Sequence, residues 1–239
     1  PGVYLSWPIE PGRLPAFVDA ARLLNIRGCS ITIPHKIDII PLLDKTSENV
    51  REMGACNTLY RDGEKICGEN TDVIGFTAPL RKRSLSPETR VLVLGAGGVS
   101  RAAIAGLRRL GLANITLTNR RKERAEALCN EFGLLCAPWE ERGDVPADLI
   151  INTTPLGMTG AQEHETPYPR AFQDNGIAYD LIYTPFQTRF LRDAAAAGWE
   201  TVSGLDMFIG QGDAQFHLWT GHHLPEEAIT AVTSALYGQ

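Results

Sequence analysis

Residues Val91–Val99, VLVLGAGGV, constrain the fold more than any other stretch of the chain. Four apolar residues that suit a buried strand run into Gly95-Ala96-Gly97-Gly98, and the sequence from Ser100 to Leu110 then reads as a helix. A buried strand, a glycine turn and a helix N-terminus together make a phosphate cradle. The glycines let the backbone turn tightly and approach a pyrophosphate, and the unbonded N–H groups at the helix start receive the anion. The spacing is G-x-G-G, without the third glycine of the common fingerprint, so a tight turn with no ligand stands beside the dinucleotide reading.

The residues that follow the turn bear on which dinucleotide is meant. Asn114–Thr118, NITLT, reads as a second strand and ends in Asn119-Arg120-Arg121-Lys122, with Arg124 beyond. A ribose with a free 2′-hydroxyl is usually met by an acid about 20 residues past the turn. Here that place holds an amide and a cluster of cations, which suits the extra phosphate of NADP through charge-assisted guanidinium contacts. A solvated helix start is the plainer account, but cations at a helix N-terminus oppose the macrodipole. The pattern therefore favours NADP, with NAD left open.

Composition sets the outer bounds. The 239 residues are enough for two modest domains or one large one, and 44% apolar with 21% charged residues is ordinary for a globular chain. A net charge of −5 argues against nucleic acid or a polybasic membrane surface as partner. No apolar run approaches the ~20 residues of a membrane span. Cys29, Cys56, Cys67, Cys129 and Cys136 form no C-x-x-C pair, so reduced thiols in a cytoplasmic protein are the simplest account. His35, His164, His217, His222 and His223 show no metal-ligand spacing, and no metal is expected.

Strand and helix signals alternate, which implies an α/β protein with mainly parallel sheets. Strands are expected at Val3–Trp7, Ser30–Ile33, Val91–Leu94, Ile115–Thr118, Leu134–Ala137, Leu149–Asn152, Ile177–Leu181 and Thr201–Ser203. Asn57–Tyr60 and Lys65–Cys67 flank Asp62-Gly63, a hairpin signal. Helices are expected over Leu14–Leu24, Asp72–Lys82, Arg189–Ala197, Met207–Trp219 and Glu226–Tyr237, and an exposed loop over Gly160–Pro169. Ser84–Thr89 is polar and carries a proline, and reads as the main linker.

Two segments of the first half look like site material. In ITIPHK, Lys36 sits where strands of α/β domains present groups to a crevice. GENTDVIG sets Asn70, Thr71 and Asp72 side by side. Taken singly, Lys36 reads as readily as a surface lysine, and Asp72 as a helix cap.

Taken together, the motifs resemble one family. TIPHK (32–36), GACNTL (54–59), GENTD (68–72), GAGG (95–98), NRRKER (119–124), NTTPLGM (152–158), YDLIYTPFQT (179–188) and GLDMFIGQ with F-H-L-W-T-G (204–221) occur in the order of the shikimate and quinate/shikimate dehydrogenases. The resemblance implies a substrate-binding α/β domain and a Rossmann-type NADP-binding domain with a cleft between them. The expected bounds are 1–83 for the substrate domain, 84–206 for the NADP domain, and 207–239 for C-terminal helices returning to the first. It implies Lys36 and Asp72 as the catalytic pair, and Thr32, Asn57, Asp72, Tyr183 and Gln211 as substrate-binding residues. For the cofactor it implies Gly95, Ala96, Gly97, Gly98, Val99, Asn119, Arg120, Arg121 and Arg124, with Leu181 and Gly204 beside the nicotinamide. The expected reaction is reversible hydride transfer between NADPH and 3-dehydroshikimate, giving shikimate, by a monomer or homodimer whose partners are small molecules.

The sequence departs from the family pattern in two places. It opens at Pro1, at what reads as the family's second strand, so the Ser-x-Ser clamp for the substrate carboxylate is not among these residues, and weak shikimate binding is expected of them. Ser30 stands where the family usually has Asn. Two other readings remain at this point: a quinate/shikimate dehydrogenase using NAD or either cofactor, and a non-catalytic dinucleotide sensor derived from a dehydrogenase.

Overall fold

Two sheets organise the chain, and a computed structural model describes residues 2–237 of it. The chain divides into two compact units. One takes in the chain up to Thr71 together with Gln215–His223, and the other takes in Asp72–Ala214 and the chain from Leu224 onward. Two of the unit bounds, at 71/72 and 214/215, fall inside helices and the third, at 223/224, falls between the last two helices, while the 84–89 segment carries no regular element.

The first unit runs α1 (Leu14–Leu23), β1 (Gly28–Ser30), β2 (Lys45–Thr46), α2 (Glu48–Met53), β3 (Thr58–Asp62) and β4 (Lys65–Glu69), before α3 (Thr71–Leu80) begins. The expected hairpin forms, with β3 and β4 antiparallel and Asp62 opposite Lys65. β1 adds antiparallel to β3, and β2 parallel to β4, giving the order β1-β3-β4-β2. α1 presents Leu14, Val18 and Ala21 on one face, the i, i+4, i+7 spacing of a helix stripe. Leu14 and Val18 pack with Ile31, Ile39, Val50, Leu59 and Ile66 into one core. Each such side chain contributes roughly 1.5–3 kcal/mol on burial.

Two expectations here differ from the structure. Val3–Trp7 is not a strand: no sheet takes up the segment, and Val3 is 85% exposed. An extended run becomes a strand only with a ladder partner, and β1 pairs along its whole length with β3. The segment is instead held by side chains, through a Tyr4–Ser30 hydrogen bond of 2.7 Å and an edge contact of Trp7 on Phe17. Helix α2 was not expected at all, yet Ser47 caps it by accepting the Val50 N–H at 3.2 Å.

The second unit contains β5 (Val91–Leu94), α4 (Gly98–Arg109), β6 (Ile115–Thr118), α5 (Lys122–Phe132), β7 (Leu135–Cys136), β8 (Leu149–Asn152), β9 (Ile177–Asp180), α6 (Arg189–Ala196) and β10 (Glu200–Val202). α7 (Gly204–Thr220) and α8 (Glu226–Tyr237) follow. All six strands are parallel, in the order β10-β9-β8-β5-β6-β7. β5 is central and buried at every position. Its alternation sends Val91 and Val93 into one core with Ile104 and Leu107, and Leu92 and Leu94 into another with Phe190 and Trp199. That double burial explains why its sequence is a continuous apolar run rather than an alternating one. Chain direction in the sheet order reverses between β5 and β8, a topological switch point, where the crevice outside the strand ends takes ligands.

Candidate functional site

The loops after β5 and β8 enclose a cavity of about 230 Å³ at that switch point. It is lined by the turn residues Gly95, Ala96 and Gly97, by Thr153, Thr154, Pro155 and Leu156 after β8, and by Asn119, Arg120, Arg121 and Arg124 at the start of α5. Trp139 and Gln162 complete the lining. Seven of the cofactor residues expected from the sequence are therefore gathered in one place.

Local chemistry sets this geometry. Gly95 has φ +117°, and a Cβ there would stand 2.5 Å from Thr153 Oγ1, so glycine is needed on both counts. A Cβ on Gly97 or Gly98 would meet nothing within 4 Å, so the N-terminus of α4 faces open space. Ser100, fully buried in the first turn, accepts the Gly97 N–H at 2.9 Å. The remaining N–H groups of that turn, together with the helix dipole, suit an anion. The Asn119 amide donates to the Arg121 carbonyl at 2.9 Å and shapes the turn into α5, whose first residues, Arg120 to Arg124, are exposed. An open glycine cradle with an adjoining guanidinium cluster fits a pyrophosphate and a 2′-phosphate. Val99 begins α4 beside this cradle but is 44% exposed and does not line the cavity.

Leu181 and Gly204 also come together. The Gly204 N–H donates to the Ile182 carbonyl at 3.2 Å, and a Cβ on Gly204 would lie 2.6 Å from the Leu181 carbonyl oxygen. Just before them, the fully buried Asp180 ends β9. Burial pushes its carboxyl up to about 7, against hydrogen bonds from Thr188, the Ile182 N–H and Asn152 that favour the charged form.

The expected substrate residues divide between the units. Thr32, Lys36 and Asn57 belong to the first, and Asp72, Tyr183 and Gln211 to the second. Asn57 is the best fixed of them. Its Oδ1 accepts the Thr71 N–H at 2.8 Å and the Thr58 hydroxyl at 2.7 Å, while Nδ2 donates to Thr71 Oγ1 at 3.1 Å. A backbone N–H can only donate, so the Thr71 bond settles which way the amide faces. Lys36 is half-buried, and its carbonyl accepts the Cys56 N–H at 2.7 Å, which ties the TIPHK loop to the GACNTL segment. Thr32 is exposed on the same loop. Asp72 is half-buried in the first turn of α3. Gln211 packs against that helix: a Cβ on Gly75 would lie 2.7 Å from the Gln211 nitrogen. Tyr183 stacks on Phe208 with ring centres 5.1 Å apart.

Residues without an assigned role in the sequence reading also enter. Gln215 is buried, donates to Thr58 Oγ1 at 2.9 Å and accepts from Ser30 at 2.9 Å, and so supports Asn57 through its neighbour. Thr153 and Thr154 line the cavity, and Ser100 bonds to Thr153. For the two threonines the signal was the NTTPLGM motif at the end of a strand, whose position at the switch point only the sheet order reveals. Among the described residues no cluster of metal-ligating side chains and no helix long and apolar enough to cross a membrane is found.

Three family models match the chain: the shikimate dehydrogenase substrate binding domain over residues 1–59, shikimate/quinate 5-dehydrogenase over 80–141, and the shikimate 5′-dehydrogenase C-terminal domain over 204–232. A shikimate dehydrogenase (NADP(+)) of Pelobacter propionicus is 56% identical over 99% of this chain and 86% of its own length. One of Oleidesulfovibrio alaskensis is 48% identical, over 98% and 85%. The crystal structure of the Thermus thermophilus enzyme in complex with NADP(H) and shikimate superposes with a TM-score of 0.82 at 35% identity, over 96% of this chain and 86% of that one. With a glycine cradle, a cationic patch beside it and relatives that match over nearly its whole length, the chain belongs to the shikimate dehydrogenase family.

Proposed function

We propose that this chain is an NADP-dependent shikimate dehydrogenase, which exchanges a hydride reversibly between NADPH and 3-dehydroshikimate to give shikimate. The observation that carries the reading is the cavity at the β5/β8 switch point, where the glycine cradle and the Arg120–Arg124 cluster meet. NADPH supplies the hydride. The protein must hold the substrate and move one proton to or from the oxygen on the reacting carbon.

Lys36 and Asp72 are proposed for that proton. An ammonium donates to a developing alkoxide and stabilises its charge, and a carboxylate partner keeps it oriented. Thr32, Asn57, Asp72, Tyr183 and Gln211 are proposed to hold the substrate's hydroxyl groups. The fixed amide of Asn57 supports this: a polyol site needs polar groups set in advance, because each buried group left unpaired costs roughly 1–3 kcal/mol. Gly95 to Val99, Asn119, Arg120, Arg121 and Arg124 are proposed to bind the cofactor's phosphates, and Leu181 and Gly204 to border its nicotinamide. The functional division proposed is 1–83 for substrate, 84–206 for NADP and 207–239 for the closing helices. On this reading the enzyme works in the cytoplasm, as a monomer or homodimer; its five free cysteines agree with a reducing compartment.

The test is the absorbance change at 340 nm with shikimate or quinate against NADP or NAD in all four pairings. Turnover highest with shikimate and NADP is the expected result. No turnover in any pairing, with NADPH still bound, would leave a dinucleotide-binding protein without the reaction.

A further inference from the structure

The carboxyl group of Asp180 lies at the meeting point of two loops. Thr188 Oγ1 donates to Oδ2 at 2.7 Å, and the Ile182 N–H and Asn152 Nδ2 donate to Oδ1, each at 3.0 Å. Asn152 is the register partner of Asp180 and ends the neighbouring strand. It carries the linkage onward: Nδ2 also donates to the Leu156 carbonyl at 3.1 Å, and Oδ1 accepts the Thr154 N–H at 2.9 Å and its hydroxyl at 2.7 Å. Thr154 and Leu156 line the cofactor cavity. On the other side, Ile182 adjoins Leu181, and its carbonyl accepts the Gly204 N–H. Thr188 also caps α6.

A fully buried acid is a costly way to fill space, since an apolar side chain of similar volume packs without the desolvation penalty. Three donors converging on both oxygens give it a purpose, because a carboxyl group offers acceptors on both oxygens to all of them. The donors come from the end of β8, the loop after β9 and the cap of α6. Without the acceptor each donor is orphaned in a buried setting, and the loops lose their common anchor.

We propose that Asp180 is a positioning residue for the cofactor: it holds the 152–156 and 181–182 loops in the arrangement that receives NADPH. The inference rests on the cofactor reading of the cavity given above. It assigns no contact between Asp180 and NADPH, and its effect runs through Asn152, Thr154, Ile182 and Gly204.

The experiment compares wild type with D180A, D180N, T188V and T188S, well below each melting temperature. The readouts are the NADPH Kd from fluorescence titration and the KM values for NADPH and shikimate. Absence of NADPH binding by wild type would overturn both the cofactor reading and this inference. With wild type binding, D180A is expected to raise the NADPH Kd and KM by roughly tenfold or more, and to leave the shikimate KM at the wild-type value. D180N keeps the oxygen that accepts from Ile182 and Asn152, and is expected to recover most of the affinity. A folded D180A with wild-type NADPH affinity, or with equal rises in both KM values, overturns the inference while the cofactor reading stands. Should D180A not fold, T188V decides against T188S: T188V removes the Oδ2 donor together with the cap of α6 and leaves both Oδ1 bonds, whereas T188S keeps donor and cap. A rise of about threefold or more in the NADPH KM, with the shikimate KM unchanged, supports the inference, and wild-type values overturn it.

Discussion

Ser100 and Thr153 share a hydroxyl–hydroxyl hydrogen bond of 2.7 Å. Its direction follows from the neighbours. Thr153 spends its one hydroxyl proton on the Leu94 carbonyl at 2.8 Å, so Ser100 must be the donor between the two. Ser100 in turn accepts the Gly97 N–H. A one-way chain of donors thus runs from the glycine turn, through the first turn of α4, across to the loop after β8 and back to the end of β5. Chains of this kind strengthen one another. Thr153→Val keeps the shape and removes both bonds. We expect it to lower stability by about 1–3 kcal/mol in chemical denaturation and to weaken NADPH in a fluorescence titration, while Thr153→Ser stays near wild type on both.

Replacing Arg120 or Arg121 by alanine should separate the two cofactors. Only NADPH has a 2′-phosphate to lose a charge-assisted bond, so its binding should weaken by ~1–3 kcal/mol while NADH binding hardly changes. Parallel titrations with both nucleotides check this. Equal losses would assign these exposed side chains to the structure rather than to recognition.

Lys36→Ala should lower kcat by roughly 10²–10⁴, the scale of a lost general acid or base, and leave the melting temperature and NADPH Kd close to wild type. Steady-state kinetics with shikimate and NADP read the effect directly. Near-normal turnover would remove Lys36 from the proton-transfer step.

Asp180 also gives stability a pH dependence of known sign. Its carboxyl has an ordinary value of 3.8 and is pushed up to about 7 in the fold. The folded state therefore binds this proton more tightly than the unfolded chain. The contribution is full below the unfolded value and is lost as pH rises through the folded one. Relative to Asp180→Asn, which has no such proton, wild type should lose about 2–3 kcal/mol of unfolding free energy between pH 5 and pH 8. Denaturant melts of both proteins across that range test the difference. Parallel pH profiles would mean that the carboxyl titrates in the ordinary range.

Much of this architecture was legible in the residues because two periods are hard to confuse. The β5 run with its glycine turn, the 3.6-residue stripe of α1 and the Asp62-Gly63 hairpin each sit where the sequence puts them. Val3–Trp7 misled because strand-favouring residues state a preference, and pairing depends on a neighbour that the segment does not itself encode. α2 escaped notice because six residues are too few for a helical stripe, and its cap, Ser47, was its clearest signal. Seven of the eleven residues named one by one for the cofactor line a single cavity, and Gly98, Val99, Leu181 and Gly204 do not. What the sequence could not convey was the supporting layer. Thr153, Gln215 and Asp180 matter through partners 53, 185 and 28 positions away, distances at which no local pattern speaks.

The cations of residues 120–124 project from the mouth of the cavity into solvent, and none of them belongs to either apolar core of that unit. On the proposed cofactor reading, nucleotide choice is thereby written on a surface turn rather than into the packing. A lineage could re-specify which cellular pool of reductant it draws on by exchanging a few exposed side chains, with the scaffold that folds and the scaffold that catalyses both left alone.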